Sequence, residues 1–330
     1  MNTETFPYRP LGASELKMMI NSFAARSIPF LFVLNYRANE GFVVSEDELD
    51  ERYIRFSFHQ QTKKSDFADK IRWEIRPVDY AQYYEKFSYV KQQIGLGNSF
   101  LTNLTQPTAL ETNLNLEQIY ECSSAPYKLW MKDRFVVLSP ETFVQIRNNH
   151  ITTFPMKGTI DAGLPNAADK ILNDNKEMAE HATIVDLLRN DLSMVANDVH
   201  LSRYRYLDEI QTHQGKLLQV SSEITGTLLP EFSTKPGDVM FALLPAGSIC
   251  GAPKPSTLKI IEKAEGYERA YYTGVCGFFD GENLDSAVMI RFVEQTPNGL
   301  VFKSGGGITA SSDPVKEYHE LIQKVYVPIS

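Results

Sequence analysis

The chain has 330 residues and a mass of 37.4 kDa, with 33 Lys and Arg against 41 Asp and Glu, for a formal net charge of −8. A composition of 43% apolar and 22% charged residues excludes wholesale disorder and fibrous repeats, and the length admits one large domain or two ordinary ones. The acidic balance, with no long Lys/Arg run, excludes a duplex-binding surface, so no nucleic-acid partner is expected and an anionic ligand must meet a local cluster of positive charge.

In chain order, Met1 to Pro10 carries Glu4 and no apolar core, which is not the pattern of a signal peptide. Ala13 to Ala25 has the spacing of an amphipathic helix, and Pro29 to Leu34 reads as an apolar strand. The apolar stretch Ile28 to Leu34 is too short to span a bilayer, so a cytoplasmic location with no membrane partner is expected. Asp79 to Ile94 is a second helix, whose Tyr80, Tyr83, Tyr84 and Phe87 read as a packing stripe rather than a ligand site. Beyond Tyr127 come strands around residues 134–138, 143–147 and 151–154, then a long helix, then further strands. Strands interleaved irregularly with helices predict an α+β fold. Cys122, Cys250 and Cys276 are too few and too scattered for a disulfide framework or a thiolate metal site.

Residues with chemical potential cluster in a few places. Ser139-Pro140-Glu141-Thr142-Phe143 and Phe154-Pro155-Met156-Lys157-Gly158-Thr159 flank a hairpin turning at Asn148-Asn149-His150. A three-residue loop sets Glu141 directly opposite Lys157, whereas a two-residue loop puts them on opposite faces. An acid beside an amine suits a general acid and a nucleophile; it also suits a plain cross-strand ion pair. Lys176 to Asp198 places Ile184, Leu187, Leu188, Leu192 and Val195 on one buried helical face and projects Glu177 and Glu180 from one side. The stretch PAGSICGAPK, Pro245 to Lys254, joins the Ser248 hydroxyl to flexible backbone and a helix N-terminus, but lacks P-loop spacing. Lys303-Ser304-Gly305-Gly306-Gly307-Ile308 lets backbone approach a ligand and offers N–H groups to an anion. Asp313-Pro314 then starts a last helix, on which Glu317 and Glu320 again stand on one side. If the two Glu pairs converge, four carboxylates repel unless a cation neutralises them, and hard oxygen ligands suit Mg²⁺.

Five blocks stand in order between Asn98 and Lys324: SPETF, PMKGT, EHATIVDLLRNDL, PAGSICGAPK and GGGITASSDPVKEYHE. Together they resemble the chorismate-utilising enzymes, the family of anthranilate synthase component I, aminodeoxychorismate synthase component I and the isochorismate synthases. The resemblance implies an α+β sandwich of two sheets with the active site between them. It also implies an abbreviated N-terminal portion at 1–97 and a chorismate-binding catalytic region at 98–330, intertwined as one unit. No Leu-Glu-Ser motif of the tryptophan-binding relatives is found, so feedback inhibition by tryptophan is not expected.

The subfamily turns on Lys157. Anthranilate and isochorismate synthases typically carry Ala there, and a Lys resembles aminodeoxychorismate synthase. That resemblance implies Lys157 as the nucleophile at C2 of chorismate and Glu141 as the general acid for the departing C4 hydroxyl. Ammonia then attacks C4 and displaces the lysine, yielding 4-amino-4-deoxychorismate. Isochorismate-forming members carry a water-activating Lys where Leu101 stands. By the same resemblance, Glu180 and Glu320 coordinate Mg²⁺ while Glu177 and Glu317 hold its waters or the substrate. Tyr272, Arg291, Gly306, Gly307 and Lys324 match positions at the substrate carboxylates, with Ser248 and Thr159 also at the substrate. Departures are Gln219 for a family His, Cys250 for Thr or Ser, and Ala270 for Gly. No glutaminase-like segment is present, which implies ammonia from a separate glutamine amidotransferase subunit or from solution. The implied function is that of an aminodeoxychorismate synthase component I serving p-aminobenzoate and folate synthesis. The alternatives are anthranilate synthase component I and a non-catalytic chorismate-binding regulatory subunit.

Overall fold

The computed structural model describes residues 6–59, 71–212 and 215–327, so Glu4 lies outside the described residues. The chain begins with β1 (Leu11–Gly12), α1 (Ala13–Ala25), β2 (Phe30–Leu34), β3 (Glu40–Ser45), β4 (Ile54–Phe58) and β5 (Trp73–Arg76). Next come α2 (Tyr80–Gly95), β6 (Leu101–Thr112), α3 (Leu116–Cys122), β7 (Tyr127–Met131), β8 (Phe135–Ser139), β9 (Thr142–Arg147), β10 (His150–Thr153) and β11 (Met156–Asp161). Helices α4 (Ala167–Leu172) and α5 (Asn175–Leu192) lead into two long strands, β12 (Ala196–Thr212) and β13 (Gly215–Leu228). The last third holds α6 (Pro236–Leu243), α7 (Gly247–Cys250), β14 (Gly251–Ala252), α8 (Lys254–Glu265), β15 (Val275–Phe279), β16 (Leu284–Val288), β17 (Phe292–Thr296), β18 (Gly299–Thr309) and α9 (Pro314–Gln323).

Among the described residues these strands form two antiparallel sheets. One runs β1-β3-β2-β15-β16-β9-β10-β13-β11, with β12 on β13; the other runs β14-β6-β18-β17-β8-β7-β4, with β5 on β6. The sequence of β2 explains its place in the middle. Phe30 to Leu34 is apolar at every position and buried at every position, as a strand covered on both faces must be. Phe30, Phe32 and Leu34 pack against Leu16 and Ile20 of α1 and a core that reaches Val185 and Leu188 of α5. Leu31 and Val33 turn to Leu129, Phe135 and Val137 of the opposite sheet. Each such fully buried side chain contributes about 1.5–3 kcal/mol from burial.

The far face of the second sheet is covered twice. Trp130, Val136 and Leu138 lie beneath Leu116 and Ile119 of α3. Leu104 and Ile308 lie beneath Tyr83, Phe87 and Val90 of α2, Ile260 of α8 and Leu321 of α9. The layers are therefore helices, sheet, sheet, helices, an α+β sandwich.

Asp79 caps α2 by accepting from the Ala81 N–H, and Asp313 caps α9 by accepting from Val315 and Lys316 N–H. The aromatic stripe of α2 divides: Tyr83 and Phe87 are core, while Tyr80 and Tyr84 are exposed, Tyr80 resting edge-on against Tyr318 of α9.

One expectation is corrected and one open alternative is decided. The helix read from Lys176 to Asp198 stops at Leu192; Val195 is fully buried, but its carbonyl accepts from Leu229 N–H and the chain enters the ladder with β13 at Ala196. The hairpin, for which both a two-residue and a three-residue loop were open, has the two-residue one. Asn148 and Asn149 both take the left-handed conformation, with φ of 49° and 62°, and Arg147 pairs with His150, the geometry of a tight two-residue turn. Glu141 therefore does not sit across a ladder from Lys157. β10 ends at Thr153, Phe154-Pro155 carries the chain away, and β11 pairs with β13 instead of β9.

Candidate active site

Tertiary packing does what the hairpin register does not. A cavity of about 280 Å³ opens between the edge of the first sheet, α5 and the second sheet, and Glu141, Lys157, Glu180, Ser248 and Gly307 all line it. Thr142, Phe143 and Thr153 supply one wall and Ala179, Thr183, Ile184 and Leu188 of α5 another. Leu101 closes the second-sheet side, lying so close to Gly307 that a Cβ there would come within 2.8 Å of its Cδ1.

Lys157 Nζ bonds Glu180 Oε2 at 2.8 Å, and Lys176 Nζ stands 3.5 Å from Glu180 Oε1. Burial disfavours the Lys157 ammonium, but Glu180, then Glu320 and Glu177, outweigh it and hold its pKa above the ordinary lysine value. Glu317 also feels the Lys157 charge, so both Glu pairs, one on α5 and one on α9, lie around a single amine. Burial raises Glu177 and Glu317 above the usual carboxylate range, against the pull of Lys157 on both. Burial also pushes Glu320 upward, yet Lys324, Lys157 and Lys176 prevail and its pKa is lowered.

Lys324 Nζ bonds Glu320 Oε1 at 2.7 Å and donates to Gly305 O at 3.0 Å. Arg291 Nη1 donates to Lys324 O at 2.6 Å and its guanidinium lies over Tyr326. Gly306 faces this cluster: a Cβ there would stand 3.6 Å from Glu317 Oε2, 3.7 Å from Lys324 Nζ and 3.8 Å from Glu320 Oε1.

Glu141 accepts from Ser248 Oγ at 2.6 Å. Burial raises its pKa, and the opposing effects of Ser248 and Lys324 are smaller. Tyr272 is buried within electrostatic reach of both Arg291 and Glu141.

Not every predicted residue reaches the cavity. Thr159 is exposed on β11, paired across to Gln219 on β13, and neither lines it. Tyr272, Arg291, Gly306, Lys324, Glu177, Glu317 and Glu320 do not line it either. Among the described residues no three acidic, imidazole or thiol groups are gathered closely enough to hold a metal ion as they stand. The donor chemistry is nonetheless that of a hard cation site, with carboxylate oxygens and no soft ligand. Lysine ammonium groups hold the places beside Glu180 and Glu320.

Sequence reasoning overlooked His181 and Asp191. Both lie on the buried face of α5, and the signal available was a polar residue in phase with Val185, Leu188 and Leu192. His181 is fully buried with Nε2 2.7 Å from Ser222 Oγ, and burial lowers its pKa.

A family profile described as chorismate binding enzyme matches residues 31–330, and the chain belongs to that family. Among its relatives, an uncharacterised PabA-like protein of Pasteurella multocida is 45% identical over 320 residues, covering 94% of this chain and 97% of that protein. Aminodeoxychorismate synthase component 1 of Salmonella typhimurium is 31% identical over 299 residues, covering 86% of this chain and 64% of that protein. Anthranilate synthase component I of Streptococcus pneumoniae, a solved structure, superposes with a TM-score of 0.67 at 26% identity, covering 78% of this chain and 59% of that one. Among the described residues no helix is long and apolar enough to cross a membrane.

Proposed function

We propose that the protein is an aminodeoxychorismate synthase component I. It converts chorismate and ammonia to 4-amino-4-deoxychorismate, the ammonia coming from a glutamine amidotransferase partner. The observation that supports this most is an amine, Lys157, and a carboxyl with raised proton affinity, Glu141, on the wall of one cavity. An isochorismate-forming enzyme needs a base for water, and Leu101 in the wall offers none.

Lys157 is held as an ammonium, so it must release its proton before attacking C2 of the ring; Glu180 Oε2 at 2.8 Å is the acceptor within reach. Glu141 donates a proton to the C4 hydroxyl as it leaves, a step served by a carboxyl that burial keeps protonated to higher pH. Ammonia then attacks C4 and frees the lysine. Glu180 and Glu320, supported by Glu177 and Glu317, would hold a Mg²⁺ ion. Such an ion, when bound, supplies neutralisation of a substrate carboxylate. Lys324, Arg291 and the N–H groups around Gly306 bind the remaining anionic charge, the guanidinium being suited to a carboxylate by its planar fork.

Gly306→Ala tests the substrate position. Its methyl would make only ordinary contacts, so the melting temperature is expected to stay near wild type. By filling ligand space it is expected to raise the KM for chorismate about tenfold. An unchanged KM places the substrate elsewhere.

The activity itself is tested by incubating the protein with chorismate, Mg²⁺ and ammonium, then adding a separate aminodeoxychorismate lyase. p-Aminobenzoate that appears only with the lyase is the expected result. Anthranilate formed without it would establish the second reading, an anthranilate synthase component I, which the 26% identity to that enzyme keeps in view. Chorismate binding without turnover, even with the amidotransferase present, would establish a regulatory subunit. Retention of Lys157, Glu141 and four clustered glutamates speaks against that, since a binding module needs no nucleophile and acid.

A further inference from the structure

Ser248 holds the proposed general acid, and it sits in a place that cannot hold itself. α7 is four residues long, a single turn that has no stability of its own. Two buried ion pairs grip this turn from opposite ends. At its start, Gly247 packs directly on the Asp191 carboxylate, so closely that a Cβ on Gly247 would stand 2.6 Å from Asp191 Oδ2. Asp191 is 5% exposed and bonds Lys254 Nζ at 2.9 Å; Lys254 also donates to Leu243 O at 2.9 Å. Near its end, Arg269 Nη1 donates to Ile249 O at 2.9 Å while its Nε and Nη2 donate to Glu265 at 2.8 and 2.6 Å.

Taking two charges out of water is unfavourable, and apolar replacements of a buried pair are often neutral or stabilising. A buried pair is therefore weak evidence for stability. The Asp191–Lys254 pair ties α5, which bears Glu177 and Glu180, to the turn bearing Ser248 and to the first residue of α8. Between Asp191 and the acid stand two consecutive residues, Gly247 packed on the Asp191 carboxylate and Ser248 donating to Glu141.

We propose that Asp191, acting through Gly247, is a positioning residue for Ser248 and hence for the Glu141 carboxyl, with Lys254 fixing the Asp191 carboxylate. This rests on the reading of Glu141 as the general acid. Arg269 anchors the other end of the same turn.

Asp191→Asn keeps the volume but removes the charge: Gly247 and Lys254 Nζ both face Asp191 Oδ2, and a neutral amide there leaves the Lys254 ammonium without its counter-charge and the arrangement loosened. The expected result is a fall in kcat of about tenfold or more with the KM for chorismate within about threefold, and Ser248→Ala should give the same split. Combining the two should lower kcat by less than about threefold further, because both break one chain of contacts. Adding Lys254→Gln to Asp191→Asn should restore kcat to within about threefold of wild type, since paired amides satisfy both contacts. Effects of Asp191→Asn and Ser248→Ala that multiply, or a folded Asp191→Asn with wild-type kcat, overturn the proposal.

A second readout needs no turnover. The Glu141 carboxyl is titrated by ¹³C NMR on glutamate-labelled protein, its signal assigned by its loss in Glu141→Gln. Both Asp191→Asn and Ser248→Ala should raise its pKa, because the carboxylate loses a donor; an unmoved titration in Asp191→Asn overturns the proposal. If the wild type fails to turn chorismate over, the proposed function falls while this titration still decides the positioning. Should Asp191→Asn not fold alone, the Asp191→Asn/Lys254→Gln pair is titrated instead. A wild-type Glu141 curve supports the proposal and a shifted one overturns it.

Discussion

Lys157→Ala is expected to abolish lyase-dependent p-aminobenzoate formation, with kcat falling by at least about a hundredfold. The side chain is the one amine on the cavity wall among the described residues; Lys176, one turn before Glu180 on α5, does not line the cavity and stands 3.5 Å from the other oxygen of Glu180. The fold should survive the change. Lys157 is 37% exposed, and a partly exposed ion pair of this kind contributes on the order of 1 kcal/mol or less. A folded variant with undiminished ammonia-dependent activity would remove the covalent route. Such a result would leave direct attack of ammonia on the ring as the remaining path.

Glu141→Gln should lower kcat by roughly 10²–10⁴-fold, the usual range for a lost general acid. The pH profile makes the test specific. Burial raises the Glu141 pKa, with Ser248 and Lys324 opposing. A general acid works from its protonated form, so wild-type kcat should decline as pH rises through that raised value. In Glu141→Gln this alkaline limb should vanish while the residual rate stays flat over the same interval. A Gln variant that keeps both the rate and the limb assigns the acid to another group.

Much of this architecture was legible in the sequence where local chemistry is decisive. Ala13–Ala25 and the Asp79-capped α2 follow from apolar spacing and a capping side chain, and Asp313-Pro314 marks the start of α9. The hairpin defeated a reading by register, since both loop lengths were open and only the left-handed conformation of two successive asparagines decides between them. The sequence suggested Glu141 and Lys157 as cross-strand neighbours, and the fold replaces that arrangement. They line one cavity because β11 leaves β10 and docks on β13, a tertiary choice that no pattern within residues 141–157 encodes.

The site shows the same division. Glu177 and Glu180 are predictably on one side of a helix, as are Glu317 and Glu320. Their approach to a single lysine depends on how α5 and α9 dock on different sheets. Thr159 illustrates the limit of a motif: it stands two residues from Lys157 yet faces solvent. Asp191 illustrates the opposite error, a residue inside a recognised block that looked like part of an ordinary helix. An acid in phase with a buried stripe is a mismatch that the fold must answer with a partner, and here the answer is Lys254.

The pairing of β2 with β15 also bears on how the protein is made. Phe32 finds its ladder neighbour at Gly277, so the central strand of the first sheet leaves the ribosome long before its partner exists. Until then it has only β3 on one side, and an all-apolar edge is open to other chains. Contacts so distant in sequence close slowly. The vulnerable interval is therefore biosynthesis rather than the native state, and yield during expression should respond to temperature and chaperone supply more steeply than the purified protein's stability does.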